Sequence, residues 1–248
     1  MKKTALSQRT SETPVPLLAF GAHPDDIEFG CGAVIAQETR AGHQAHFVVC
    51  SHGEAGSHGN PQLRVAEAKK AAALLGATIE FLELDGDAHL EMRAAHAIKI
   101  AGLIRRLRPH VVLAPSIVEN QHPDHARLGK LVRDAARLAR FGGVRELRKQ
   151  PRHAIDRLFF YAVTPEAEPR DIAPVLIDVS ARAILSAWTA AMRAHASQVS
   201  ARNYIELQIT RARLLGLRAG VEHAIALFPN EPILFDSLAQ AGRGARRF

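Results

Sequence analysis

Two four-residue words, His23-Pro24-Asp25-Asp26 and His122-Pro123-Asp124-His125, each crowd imidazole and carboxylate groups into a single turn. Histidine nitrogen and carboxylate oxygen are the usual ligands of zinc-type ions, and a catalytic site of that kind needs only three protein ligands, with a further position open to water. Residues three apart fall on one side of a helical turn, so His23 and Asp26 can converge on an ion while Asp25 points elsewhere. His122 and His125 are related in the same way, and spacing alone does not choose between them as the ligand. One His-Pro-Asp turn also reads as a helix N-cap, with the aspartate accepting backbone N–H groups. Two such turns, one with doubled acids and one with doubled histidines, favour the metal.

The surrounding chain must bring these words together. Residues 17–22, 45–50, 79–84 and 111–114 are short apolar runs, as expected of parallel strands covered on both faces. Between them, Val65, Ala68, Ala72 and Leu75 recur at helical spacing before Gly76, and Ile100, Ile104 and Leu107 do so before Pro109. The alternation predicts a Rossmann-like α/β fold, a doubly wound and mostly parallel sheet with helices on both faces. Residues 157–162 and 175–178 read as two more strands, 181–199 and 203–217 as helices, and 164–174 as a surface loop bordering the site. In the common strand order the first and fourth strands are neighbours at the switch point, so both words fall at carboxyl ends where such sheets bind ligands.

At 248 residues the chain suits one domain over 15–248 preceded by a flexible polar tail over 1–14. A hydrophobic fraction of 47% with 23% charged residues is ordinary for a globular protein. The start lacks the apolar stretch of a secretory signal, and no run approaches about 18 apolar residues, so a cytoplasmic protein without a membrane partner is expected. Cys31 and Cys50 read as buried, reduced thiols. The net charge of +7 is spread over several helices, with a small terminal cluster of Arg243, Arg246 and Arg247. Without aromatic residues interleaved, that charge does not argue for nucleic acid.

At the two words the sequence resembles the LmbE-like/PIG-L superfamily of metal-dependent N-deacetylases, which carries Ala-His-Pro-Asp-Asp near the start, here residues 22–26, and His-x-Asp-His later, here residues 122–125. The loop at 51–57, followed by Pro61 and Arg64, is similar to that family's Gly-Glu-x-Gly segment. Residues 175–180, 196–198 and 220–224 look most like the bacillithiol-biosynthesis branch. The resemblance implies that His23, Asp26 and His125 bind Zn2+, with Fe2+ the alternative, and that Asp25 is the general base. It further implies that a protonated His122 polarises the substrate carbonyl or assists the leaving group, that Asp124 orients His122, that Glu54 and Arg64 contact substrate, and that Asn120 braces the second word. An N-acetylated amino sugar conjugate such as N-acetylglucosaminyl malate is the implied substrate, and a homo-oligomer, often a hexamer, the implied assembly.

Two other readings compete. Gly21, Gly30 and Gly32 stand between a strand and a helix, but their spacing is not the dinucleotide fingerprint, and the carboxylates of the turn would repel phosphate. A non-catalytic carbohydrate-binding module has no use for Asp25 beside the expected ligands. His52 and His58 lie in the Gly-rich loop and are open to a substrate contact; the other scattered histidines have no partner word.

Overall fold

The computed structural model of the protein describes residues 16–119, 122–200 and 203–245. The expected tail over 1–14, Asn120, Arg246 and Arg247 lie outside the described residues.

Seven strands form one sheet: β1 (Leu17–Gly21), β2 (Ala45–Val49), β3 (Thr78–Phe81), β4 (Val111–Pro115), β5 (Arg157–Tyr161), β6 (Val175–Asp178) and β7 (Ala224–Pro229). Their order is β3-β2-β1-β4-β5-β7-β6, with the first five mutually parallel and β7 antiparallel to both β5 and β6. β1 and β4 are adjacent, as the doubly wound pattern requires, and the crevice opens at their carboxyl ends. The helices are α1 (Asp26–Arg40), α2 (Pro61–Leu74), α3 (Ala94–Leu107), α4 (Pro123–Arg140), α5 (Arg182–Ala194), the single turn α6 (Ala196–Val199) and α7 (Tyr204–Ala219).

Alternation along β1 feeds two cores. Leu17 and Ala19 join Phe47, Ile35 and Trp188 on one face, under α1, α2 and α5. Leu18 and Phe20 join Ile100, Ile104 and Leu131 on the other, under α3 and α4. Period-two burial on both faces of one strand is what makes its sequence a continuous apolar run. Gly30, a residue open to a nucleotide-loop reading, serves packing. Its α-carbon lies against the ring of Tyr161, where a β-carbon would collide, and the Tyr161 hydroxyl donates to the Phe20 carbonyl at 2.6 Å. Helix α1 is thus seated on β5 and β1 directly above the first word.

Two elements differ from the sequence expectation. The helix over 181–199 is broken at His195, a fully buried residue with non-helical backbone between α5 and α6. Strand β7 has no counterpart in the sequence reading, because a six-residue apolar run has no periodicity that separates a buried strand from a buried helix. The loop expected at 164–174 includes a short 3-10 turn at Pro165–Ala167, and Thr164 reaches the cleft described below. Among the described residues, no helix is long and apolar enough to cross a membrane.

Candidate active site

The first word occupies the turn from β1 into α1, and Asp26 shapes it. One carboxylate oxygen of Asp26 accepts the backbone N–H groups of Ala22 at 2.8 Å and His23 at 2.9 Å, while the other lies 3.0 Å from His125 Nε2. Asp25 precedes the helix with φ of 120° and makes no side-chain cap, so the bland N-cap reading fails for this aspartate. A non-glycine residue held there costs about 1–3 kcal/mol, a strain that persists only where surroundings impose it. The second word starts α4, with His122 as N-cap, its Nδ1 accepting the Asp124 N–H at 3.3 Å, and Pro123 in the first turn, where a missing N–H costs nothing.

The two words meet. His23 Nδ1 lies 3.2 Å from His125 Nε2 and 3.6 Å from an Asp26 carboxylate oxygen, all in a largely buried setting. Ligand bonds of about 2.1 Å in a tetrahedral site put donor atoms about 3.4 Å apart, and the separations of 3.0–3.6 Å among the two nitrogens and the two Asp26 oxygens are of that size. The other nitrogen of His23 supports that fit. Its Nε2 faces Asp87 Oδ1 at 3.1 Å and Asp124 Oδ2 at 3.5 Å, though neither contact is well aligned as a hydrogen bond. Carboxylates there favour the proton on Nε2 and leave the Nδ1 lone pair for a metal. Burial by itself lowers the His23 imidazole, but Asp26, Asp124 and Asp87 raise it well above its ordinary value. Burial likewise raises the Asp26 carboxyl, yet His125 and His23 hold it well below the usual range. Asp25 differs from its neighbour: burial and Asp26 push it up to about 6, against His195, Arg64 and His23.

Several site residues stand differently from their expected places. Asp124, expected to orient His122, has its carboxylate nearer His23 Nε2; it lies 4.0 Å from His122 Nδ1 and accepts the Ala88 N–H at 2.8 Å. The reason is helical: Asp124 follows the cap, so its side chain turns back toward β1. Burial, then His23 and His125, lowers the His122 imidazole, against Asp124 and Asp87, so the ring at rest offers a neutral N–H instead of a standing cation. Arg64 lines the cleft but is 4% exposed. It donates to the carbonyls of Gly53 and Pro24, both at 3.1 Å, and sits 3.5 Å from Asp25 Oδ2, bracing the two loops instead of presenting a free fork. Gly53 and Gly56 pack on that guanidinium, where a β-carbon at either would clash. Glu54 does not line the cleft and accepts the N–H groups of His52 and Asp87, each at 3.1 Å. His52 is drawn toward Glu54 and Glu83, and Gln198 donates to the carbonyl of His58 at 2.8 Å.

Sequence reasoning missed Asp87, a buried carboxylate in the turn after β3, although the strand-end logic used for the two words applies equally there. It also missed the far wall. The cleft, about 420 Å³, is closed opposite the histidines by Phe29, Val163, Gln198, Tyr204 and Gln208. Glu67 of α2 accepts both the N–H of Ser197 at 2.9 Å and its hydroxyl at 2.6 Å, which places Gln198 at the rim. Nothing in the local sequence of that wall marks it, since its residues come from four separate elements. Cys31 and Cys50 are buried free thiols, both pushed up chiefly by burial, and take no part.

A model of the PIG-L family, described as GlcNAc-PI de-N-acetylase, matches residues 18–136. The 1D-myo-inositol 2-acetamido-2-deoxy-alpha-D-glucopyranoside deacetylase of Thermobispora bispora is 30% identical over 243 residues, covering 74% of this chain and 79% of that protein. The chain belongs to the PIG-L family. A relative with a different named activity is also similar: the 4-oxalmesaconate hydratase of Pseudomonas putida is 29% identical over 150 residues, which are 55% of this chain and 58% of that one. This PIG-L chain spans about half the length of several curated relatives that it matches. The conserved protein TT1542 of Thermus thermophilus superposes with a TM-score of 0.78 at 31% identity, covering 92% of this chain and 100% of that one.

Proposed function

We propose that this PIG-L protein is a zinc-dependent hydrolase that releases acetate from an N-acetylglucosamine derivative. The observation that carries the reading is the convergence of His23 Nδ1, an Asp26 carboxylate and His125 Nε2, with the Asp25 carboxylate beside them in a cleft able to hold a sugar. The family's named deacetylases supply the substrate class.

His23, Asp26 and His125 would hold the ion, which when bound would lower the pKa of water toward about 7 and polarise a carbonyl. Asp25, next to the ligands but not among them, takes the proton of the water that attacks the acetamide carbon. Its unusual backbone geometry and its contact with Arg64 keep that carboxylate aimed into the cleft. His122 donates an N–H toward the developing oxyanion or the departing nitrogen. Asp87 and Asp124 fix the His23 ring, Arg64 fixes the two loops, and Tyr204, backed by the buried Phe29, offers a face against which a sugar ring can lie. The homo-oligomer expected of the family accords with exposed Leu214, Leu217, Leu234 and Leu238 on the carboxyl-terminal part.

Measuring acetate release from a panel of N-acetylglucosaminyl malate, inositol and oligosaccharide conjugates, before and after treatment with chelator and with zinc restored, tests the reading. Chelator-sensitive turnover of at least one conjugate supports it. A second reading is drawn from the hydratase relative: the same water-activating apparatus can add water across an activated carbon–carbon double bond. An unsaturated dicarboxylate whose conjugated absorbance is lost on incubation, with every acetamide left intact, would favour that alternative.

A further inference from the structure

We propose that a second cleft, at the amino-terminal end of β5 and remote from the two histidine words, binds a nucleoside diphosphate. This inference is independent of the reading of the active site. The cleft measures about 510 Å³, larger than the catalytic one. Arg133, Arg137 and Arg140 enter it from one face of the last two turns of α4, and Arg157 enters from the start of β5.

Charge and satisfaction point to an anion. Four guanidiniums line the cleft against two carboxylates, and both carboxylates are occupied. Asp156 lies 2.9 Å from His110 Nδ1, and Glu231 accepts from the Asn230 side chain at 3.0 Å. Among the described residues, Arg133, Arg140 and Arg157 have no carboxylate partner, and Arg137 has only Asp134 at 3.7 Å, with both side chains about half exposed. The Nε–H of Arg133 is buried without an acceptor. That atom is closed to the cleft, so the terminal N–H groups of the four arginines are the ones left to meet a ligand. A guanidinium presents donors in a planar fork matched to phosphate oxygens, so several of them around one cavity favour phosphate over a single carboxylate.

The cavity also sets a size. Leu158, Phe159, Ile155 and Ile233 form an apolar floor beneath the arginines. Inorganic phosphate would leave that floor wet, whereas a ligand with a flat organic body and a charged end covers it and meets the guanidiniums together.

The test is calorimetric titration of ADP into the full-length protein, alongside adenosine, pyrophosphate and a short single-stranded RNA. Two variants are carried through the same series: Arg137→Glu/Arg140→Glu, at exposed positions where the fold is spared, and the milder Arg133→Lys. Saturable ADP binding that weakens at least about tenfold in the double variant and detectably in Arg133→Lys, with adenosine much weaker than ADP and unliganded melting temperatures unchanged, supports the proposal. Absence of saturable ADP binding overturns it. So does ADP binding insensitive to both variants, which would locate the nucleotide elsewhere on the molecule. RNA binding with which ADP does not compete, or a double variant whose mass by light scattering falls, would assign the arginines to nucleic acid or to contact between copies, and would equally overturn it.

Discussion

Asp25 and Asp26 are neighbours in sequence whose carboxylates face different partners, and substitution separates them. Asp26→Ala is expected to lose the metal and, because the Ala22 and His23 N–H groups lose their acceptor, to melt at a lower temperature as well. Elemental analysis of the purified variant checks the first half and a thermal melt the second. Asp25→Asn is expected to keep the metal while turnover falls by about 10²–10⁴, the usual worth of a general base; full activity in that variant removes the base. Arg64→Ala strands Asp25, the Pro24 carbonyl and the Gly53 carbonyl in a buried setting, so a loss of about 3 kcal/mol in denaturant unfolding is expected. At this scale the sequence was informative about what concentrates chemistry in a turn. Both words and their meeting at adjacent strand ends could be reasoned from spacing, whereas the choice of His125 over His122 beside His23 and Asp26 came only from the family resemblance. What could not be read was orientation: that Asp124 turns toward His23 and that Arg64 is committed to backbone carbonyls depends on how α4 and α2 dock.

Elements position these groups through a few close approaches. Gly30→Ala drives a methyl into the Tyr161 ring and is expected to cost about 1–3 kcal/mol, read as a lowered denaturation midpoint with an unchanged slope. The break between α5 and α6 offers a pH test. His195 is buried, with Glu28 Oε1 3.3 Å from its Nε2 and the charges of Asp25 and Glu67 nearby; burial lowers its imidazole, but these acids raise it above the ordinary 6.5. A native value above the unfolded one means that the His195 contribution is fully present below about pH 6.5 and is lost as pH rises through the raised native value. Denaturation across that interval should show the decline in the wild type, and a smaller one in His195→Gln. The strands and helices up to α4 were legible because apolar runs alternate with 3.6-residue periodicity between clear stop signals. Beyond residue 140 the pattern weakens, since β7 pairs antiparallel with strands distant in sequence and His195 interrupts a stretch that is helical in composition.

For the molecule as a whole, an ion held by residues from both halves of the crevice binds only the folded chain and so adds to its stability. Removal of metal is expected to lower the melting temperature by several degrees and zinc to restore it, a shift absent from His23→Ala. The doubly wound architecture followed from the sequence, because each strand buried on both faces announces its own covering helices. The enclosing wall did not, because proximity across a cleft leaves no local pattern. That division has a consequence. The groups assigned to bond breaking lie between residues 23 and 125, inside the stretch 18–136 common to the family, whereas Val163, Gln198, Tyr204 and Gln208 come from the later part of the chain. A mutational lineage can therefore remodel which guest is admitted by altering the second half alone, with the reacting centre inherited intact, and chimaeras joined after α4 are the natural way to exchange one clientele for another.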